Sequence, residues 1–342
     1  MPDYGSRVAE KAIAATARKV HQVYARAAKE VQGKLSDFTK RFSAKQKTML
    51  AQLESGEITK KTYQKWLKGQ VFIGKQWEQK VDQSARIMSK ANAEAALIVQ
   101  NGRLDVFAEN YNYAAYELEK RVGGSVGFGV YSGKSVARLI REKPQMLPVW
   151  KIDEAKDYIW NRQKVENCIM QGIIQGKPIT EIASDMANSL CSTNENKMMT
   201  FARTAMTGAQ NAGRQEQMED AEELGIKEKK RWVATLDDRT RDTHQDLDGQ
   251  EVAVDEPFTV ETEDGEIEIM FPGDPSCDDP AMVYNCRCAM IQVYEGIERH
   301  SVRRDMDDYP VKDMTYHEWK EAKENGTLPT DRRMVEKPIG GD

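Results

Sequence analysis

Two of the five cysteines in this 342-residue chain are separated by a single arginine, in the stretch VYNCRCAMIQVYEG from Val283 to Gly296. Cys286 and Cys288 could form a disulfide, hold a metal ion or fill a core. In an extended strand, residues two apart project from one face, so the thiols would emerge side by side with Arg287 on the other face. Their α-carbons would lie roughly 6.5–7 Å apart, at the limit for a disulfide and with parallel side chains. A zinc ion, about 2.3 Å from each sulfur, spans such a pair more readily. Zinc needs further donors. Cys277 lies nine positions upstream, across a loop, and His244 falls on a short predicted helix. The four together make three thiolates and one imidazole, a set that structural zinc sites use. The spacing is not that of a standard finger, and buried thiols in an ordinary core explain Cys-x-Cys equally well. His244 taken alone reads as a surface or hydrogen-bonded histidine before it reads as a ligand.

The elements that must position these residues can be read from periodicity and punctuation. From Arg7 to about Arg121 the chain is rich in Ala, Lys, Glu and Gln and free of proline, which predicts helices. ESGEIT (Glu54 to Thr59) breaks that run with a glycine and a threonine N-cap. VGGSVGFGV (Val122 to Val130) reads as a loop. A second helical region follows from about Trp150, and Ser192 with Glu195 suggest a capping box that starts a helix near Thr193. That helix carries Met198, Ala202, Ala205, Met206, Ala209 and Ala212 at helical spacing, many of them small enough for another element to approach closely. Gly225 is its expected C-cap.

Beyond Gly225 the pattern changes. KKRWVATL (Lys229 to Leu236) alternates like a strand, and DDRTRDTHQDLDG (Asp237 to Gly249) reads as a short helix capped by an Asp or Thr and stopped by Gly249. PFTVET and EIEIMF flank a turn at Glu263-Asp264-Gly265 and predict a hairpin. PGDPSCDDP (Pro272 to Pro280) is a loop, and Cys286-Arg287-Cys288 opens a closing strand. The expected fold class is α+β: a long, mainly helical N-terminal region, then a small α+β C-terminal module with antiparallel strands. The expected divisions are a helical domain at 1–121, a glycine-containing linker at 122–149, a helical region at 150–225, the module at 226–296 and a polar tail at 297–342. One short helix is expected in that tail, around Tyr316 to Lys323.

The net charge of −5 conceals an asymmetry. Residues 1–120 carry 21 Lys+Arg against 13 Asp+Glu, and the remainder 29 against 42. No Lys or Arg occurs from Asp242 to Cys286. The basic end could touch nucleic acid, although a solvated helix face accounts for it more simply. The acidic stretch argues against phosphate binding there. Five scattered cysteines are not a secreted disulfide framework. No apolar run approaches a membrane span and no signal-peptide core opens the chain, so a cytosolic origin is expected.

Four blocks in fixed order resemble the phage Mu protein F-like family of minor head, or head morphogenesis, proteins. They are ARTAMTGAQNAGR (Ala202 to Arg214), RWVATLDDRTRDTHQDLDGQ (Arg231 to Gln250), PGDP (Pro272 to Pro275) and YNCRC (Tyr284 to Cys288). GEITKKTYQKW (Gly56 to Trp66) and NYAAYELE (Asn112 to Glu119) are similar to segments of minor head proteins from phages of Gram-positive bacteria. The resemblance implies a low-copy protein made in the host cytoplasm and then found in the procapsid or virion. Its implied partners are the portal protein and capsid or scaffold proteins, with packaged DNA as a further one. The family's Asp-x-Arg motif falls on Asp237 and Arg239, its histidine on His244 and its Cys-Arg-Cys on Cys286, Arg287 and Cys288. Some relatives have a Cys-x-x-Cys pair at the positions of Arg241 and His244, which implies a metal site, here one structural zinc ion with Cys277 as the fourth donor. On this reading Asp237 and Arg239 cap the helix or form ion pairs, and Arg287 reaches the acidic loop.

Three functions compete. The first is a structural assembly protein, with no catalytic residues. The second is an enzyme, either a metal-dependent nuclease or an ADP-ribosyltransferase using acids of ETEDGEIE (Glu261 to Glu268). The module lacks the basic surface a nucleic-acid substrate requires, no Ser-Thr-Ser strand accompanies the acids, and 46 residues after Gly296 are too few for an added toxin domain. The third is a DNA-binding protein acting through the basic N-terminal helices.

Overall fold

Helix-favouring residues without proline run from Tyr4 to Val122, and they form three helices: α1 (Tyr4–Glu54), α2 (Lys60–Phe72) and α3 (Lys75–Val122). The α1 helix ends where Gly56 takes a left-handed φ of 78°, and the Thr59 hydroxyl accepts the Thr62 amide to start α2. Further along come α4 (Gly133–Glu142), α5 (Glu154–Gln175) and α6 (Ile179–Glu223). The computed structural model describes residues 3–72, 75–122, 126–147, 152–294, 303–304, 310–311 and 315–326. Part of the glycine-rich stretch, 123–125, and most of the tail expected beyond 297 lie outside the described residues.

The chain gathers into two compact units, one of Thr16–Val99 with Trp150–Thr200, the other of Met1–Ala15, Gln100–Val149 and Phe201–Asp342. The first is helical. Val20, Tyr24, Ala27, Val31 and Leu35 recur at helical spacing on α1 and are buried. A polar chain crosses this core: the Tyr24 hydroxyl donates to Asn92 (2.7 Å), Asn92 donates to Asn194 (2.8 Å) and Asp157 (2.9 Å), and Asn194 donates to Asn161 (3.0 Å). Each buried amide thereby finds a partner, which such groups require.

Asn194 lies inside a continuous α6, so the helix start expected at Thr193 is wrong. Ser192 and Thr193 do not cap; their hydroxyls donate backwards to the Ser189 carbonyl (3.2 and 2.7 Å). A Ser-x-x-Glu pattern inside a helix gives the same sequence signal as a capping box, and burial of Leu190, Asn194 and Met198 holds the helix together through it. The true start follows Pro178, after Gly176 closes α5 with a left-handed φ of 74°.

The second unit carries the α+β module. Strand β1 (Lys229–Val233) is central, flanked by β2 (Glu251–Ala253) and β5 (Ala289–Val293), all antiparallel. Strands β3 (Phe258–Thr262) and β4 (Gly265–Ile269) form the predicted hairpin. Short helices α7 (Asp242–Asp246) and α8 (Pro280–Val283) lie in the connections. A two-residue pair, β6 (Arg303–Arg304) with β7 (Pro310–Val311), precedes α9 (Tyr316–Glu324), which Thr315 and Glu318 start with a capping box. Trp319 of α9 is fully buried and donates to Glu119 of α3 (2.7 Å).

Small residues on α6 permit the close packing expected of them. A β-carbon on Gly213 would lie 2.4 Å from the Phe107 carbonyl oxygen, and one on Gly208 would lie 2.7 Å from that of Gly273 in the PGDP loop. Both contacts are with backbone, which cannot step aside as a side chain can.

Candidate metal centre

The sulfurs of Cys286 and Cys288 are presented by the segment between α8 and β5, not by the strand itself, which begins at Ala289. Asn285 turns the chain there with φ 55°, the one left-handed non-glycine residue among those described. Helix α6 holds the segment from one side. Thr204 accepts the Asn285 amide (2.9 Å), Thr207 donates to the Cys286 carbonyl (2.9 Å), Asn211 donates to the Cys288 carbonyl (3.3 Å) and accepts the Met290 amide (2.9 Å), and Arg214 donates to the Met290 carbonyl. One edge of β5 pairs with β1; the other is satisfied by helix side chains, as buried backbone groups require.

Sequence reasoning missed that role for Thr204, Thr207, Asn211 and Arg214. Their signal was present: polar residues three, seven and ten positions after Thr204, set among buried Met206, Ala209 and Ala212.

His244 approaches from α7. Its Nδ1 lies 3.3 Å from Cys288 Sγ and 3.8 Å from Cys286 Sγ, and the three donor atoms all lie within 4.8 Å of one another. All three residues are buried, at 2%, 1% and 2% exposure for His244, Cys286 and Cys288, inside the core that also holds Trp232, Phe258 and Met290. Hydrogen bonding with the Cys286 thiol first, and with His244 Nδ1, pulls the Cys288 thiol below its ordinary value against the opposing effect of burial. Cys286 moves the other way, because it gives its hydrogen to Cys288 and is buried. A further bond runs from the Cys288 amide to Cys286 Sγ (3.4 Å).

This donor set fits a metal ion. Tetrahedral bonds of about 2.3 Å to sulfur and about 2.0–2.1 Å to nitrogen separate neighbouring donors by roughly 3.5–3.8 Å. The observed nitrogen–sulfur separations fall about that range before any ion draws the donors together. Among the described residues His244 Nε2 is buried without a hydrogen-bond partner, and its ring meets Trp232 edge-on at 5.7 Å.

The loop carrying Cys277 stands apart from this group. Asp274 accepts from the Ser276 amide (2.8 Å) and hydroxyl (2.6 Å), and Asp279 caps α8 through the Ala281 amide (2.8 Å). Cys277, half-buried between these turns, directs its sulfur toward the Asp279 carbonyl at 3.9 Å. Burial, with the nearby carboxylates, pushes its thiol up.

Asp237 and Arg287 form one device. Arg287 donates twice to the Asp237 carboxylate, 2.5 Å for each bond, and the Arg239 amide donates to it at 2.9 Å. These bonds, that of Arg287 first, hold Asp237 well below the usual carboxylate range. The expected helix cap is absent: Arg241 occupies the N-cap of α7 without a side-chain bond and donates instead to the Tyr284 carbonyl (2.6 Å). Nor does Arg287 reach the acidic loop, because Asp237 is nearer. The Arg239 guanidinium contacts Asp237 only at 3.5 Å.

Residues 163–291 match the family described as Phage Mu protein F like protein. The chain is 31% identical over 232 residues to the minor head protein GP7 of Bacillus phage SPP1, a match covering 64% of this chain and 69% of that protein. It is 39% identical over 158 residues to a protein of Enterococcus faecalis named NAD(+)–arginine ADP-ribosyltransferase EFV, covering 46% of this chain and 31% of that protein. An uncharacterized protein of Haemophilus influenzae is 30% identical over 156 residues, covering 46% and 30%. The chain thus spans under a third of the length of two of these relatives and about two thirds of the other. No solved structure matches it.

Proposed function

This chain belongs to the Phage Mu protein F like family, and from that membership we propose that it is a minor head protein, a structural part of the phage head with no catalysis of its own. The likeness to the SPP1 minor head protein carries this reading. It extends over 232 residues, far more than the small α+β module, so it draws in helical segments as well. Other head components are the partners that such a role implies: the portal protein and capsid or scaffold proteins, with packaged DNA and its delivery as a further expectation. The chain would assemble in the host cytoplasm and then reside in the procapsid or virion.

Within this reading the His244, Cys286 and Cys288 group holds one structural zinc ion. Two soft thiolates and an imidazole favour zinc over oxygen-seeking cations. Such an ion would tie the α7 loop to the start of β5 and stabilise a module with a small core. Cys277 would complete four protein donors only if its loop moved inward; otherwise a water takes the fourth place.

The likeness to the ADP-ribosyltransferase supports a second reading less well. It reaches 31% of that protein. Here Glu261, Glu266 and Glu268 stand on an exposed hairpin rather than in an enclosed site. Incubation of the purified chain with NAD and an arginine acceptor should yield no ADP-ribosylated product.

Co-expression with portal, scaffold and capsid proteins tests the structural role. The chain should co-sediment with procapsids and be recovered with portal protein from dissociated particles. Procapsids assembled without any of it, from cells that express it well, would refute the proposal.

A further inference from the structure

The β3–β4 hairpin treats its two outer edges differently. Its two-residue turn at Glu263-Asp264 makes Thr262 and Gly265 the closing bonded pair, so the backbone groups of Thr259 on one strand, and of Glu266 and Glu268 on the other, point away from the ladder. On β3, the Gln250 amide imitates a neighbouring strand: it donates to the Thr259 carbonyl (3.1 Å) and accepts the Thr259 amide (3.1 Å). On β4, no hydrogen bond reaches the outward amides or carbonyls of Glu266 and Glu268 among the described residues. This open edge lines a groove of about 940 Å³, whose other wall is the Asp274–Pro280 loop.

Charge decides what can enter. Asp264, Glu266, Glu268, Asp278 and Asp279 line the groove, and Glu266 lies directly across the ladder from Glu261. Like charges in that relation repel. The module's ion pairs join Arg231 to Glu251, and Arg239 and Arg287 to Asp237; among the described residues none reaches Glu261, Glu266 or Glu268. An acidic edge also refuses a second acidic edge, so pairing between copies of this hairpin is disfavoured.

We propose that the outer edge of β4 is a docking edge for an extended segment of a partner protein bearing Lys or Arg at alternate positions, which adds to the hairpin as a third strand. Backbone bonds to Glu266 and Glu268 would supply strand addition. Because those two side chains share a face, cations at every second position of the added strand lie beside them. The proposal does not depend on the zinc ion or on head assembly.

The test uses the full chain and the peptide acetyl-Lys-Thr-Lys-Thr-Lys-Thr-Lys-amide, with binding followed by calorimetry at low salt. The peptide should bind, and its Glu-for-Lys counterpart should not. Two N-methylated forms separate strand addition from simple charge attraction, one blocked at the lysine amides and one at the threonine amides. One form should lose at least tenfold in affinity while the other retains it, since only alternate amides face β4. Equal binding by both forms would reduce the contact to charge and overturn the proposal, as would no binding by the parent peptide. The E266Q/E268Q double variant should weaken binding at least tenfold with its melting temperature kept. Unchanged affinity in that variant would place the contact elsewhere and also overturn the proposal.

Discussion

Arg287 grips Asp237 through two hydrogen bonds of 2.5 Å across 50 residues of chain, with a cysteine of the candidate metal centre on either side of the arginine. The Thr235 hydroxyl adds a bond to the Arg287 carbonyl (2.9 Å), so the loop leading to α7 is fixed to the Cys-Arg-Cys segment at two points. His244 rides on α7, and this clamp therefore sets its approach to the sulfurs. Partners that orient metal ligands are worth about 10–100-fold in metal affinity. D237N should weaken zinc binding about tenfold in competition with a chromogenic chelator. R287K, which keeps the charge but loses the planar fork, should do nearly the same. Parent-like affinity in both variants would remove the clamp from the site's function.

The donor set itself is tested by stoichiometry. The parent should bind one zinc per chain, C288S none, and C277S one, because Cys277 stands outside the group. C288S should also melt at a lower temperature, while a helical signal from the N-terminal helices persists at that temperature. If C277S loses the ion as fully as C288S, the Asp274–Pro280 loop closes onto the centre when metal binds.

Much of this was legible in the chain. Residue types and turn signals gave the β3–β4 hairpin, β1, α9 and the C-cap glycine of α6, because each is decided within a few residues. The meeting of His244 with Cys286 and Cys288 was legible too, although the strand geometry invoked for it was not what brings the sulfurs together. The left-handed turn at Asn285 and the bond from the Cys288 amide to Cys286 Sγ do so, just before the strand. What was illegible is nonlocal. Nothing near Asn211 announces that its partners lie 61 to 79 residues onward, at Pro272, Cys288 and Met290. Nothing near Asp237 shows that Arg287 outcompetes a helix terminus for it.

The bonds from α6 to β5 should dominate the stability of the second unit. Asn211 is fully buried and serves Pro272, Cys288 and Met290 at once. N211A would leave two carbonyls and one amide without that partner, a loss of about 2–4 kcal/mol at roughly 1 kcal/mol or more per buried group. G213A should destabilise through its clash with the Phe107 carbonyl, whereas G33A, on an open helix surface, should be neutral or slightly stabilising. Urea unfolding of the three variants checks the order, and an N211A protein as stable as G33A would refute it.

Glu228 gives the molecule a pH dependence of known sign. Burial, only partly offset by a hydrogen bond from Gln292, raises its carboxyl to about 7 from an ordinary 4.5. One of its oxygens is buried with no hydrogen-bond partner among the described residues. Between those two values the folded chain holds a proton that the unfolded chain has released. The stability from this group is therefore complete below pH 4.5 and is lost as pH rises through 7. E228Q keeps the shape of the protonated acid and cannot ionise. At pH 8 the variant should exceed the parent by on the order of 3 kcal/mol, the free energy of a shift of that size, and the two should converge near pH 4.5. Comparing the difference between the two proteins at each pH cancels the titration of the groups that both share. A difference that stays constant from pH 4.5 to 8, measured by urea unfolding, would show that Glu228 is solvated and ionised in the fold.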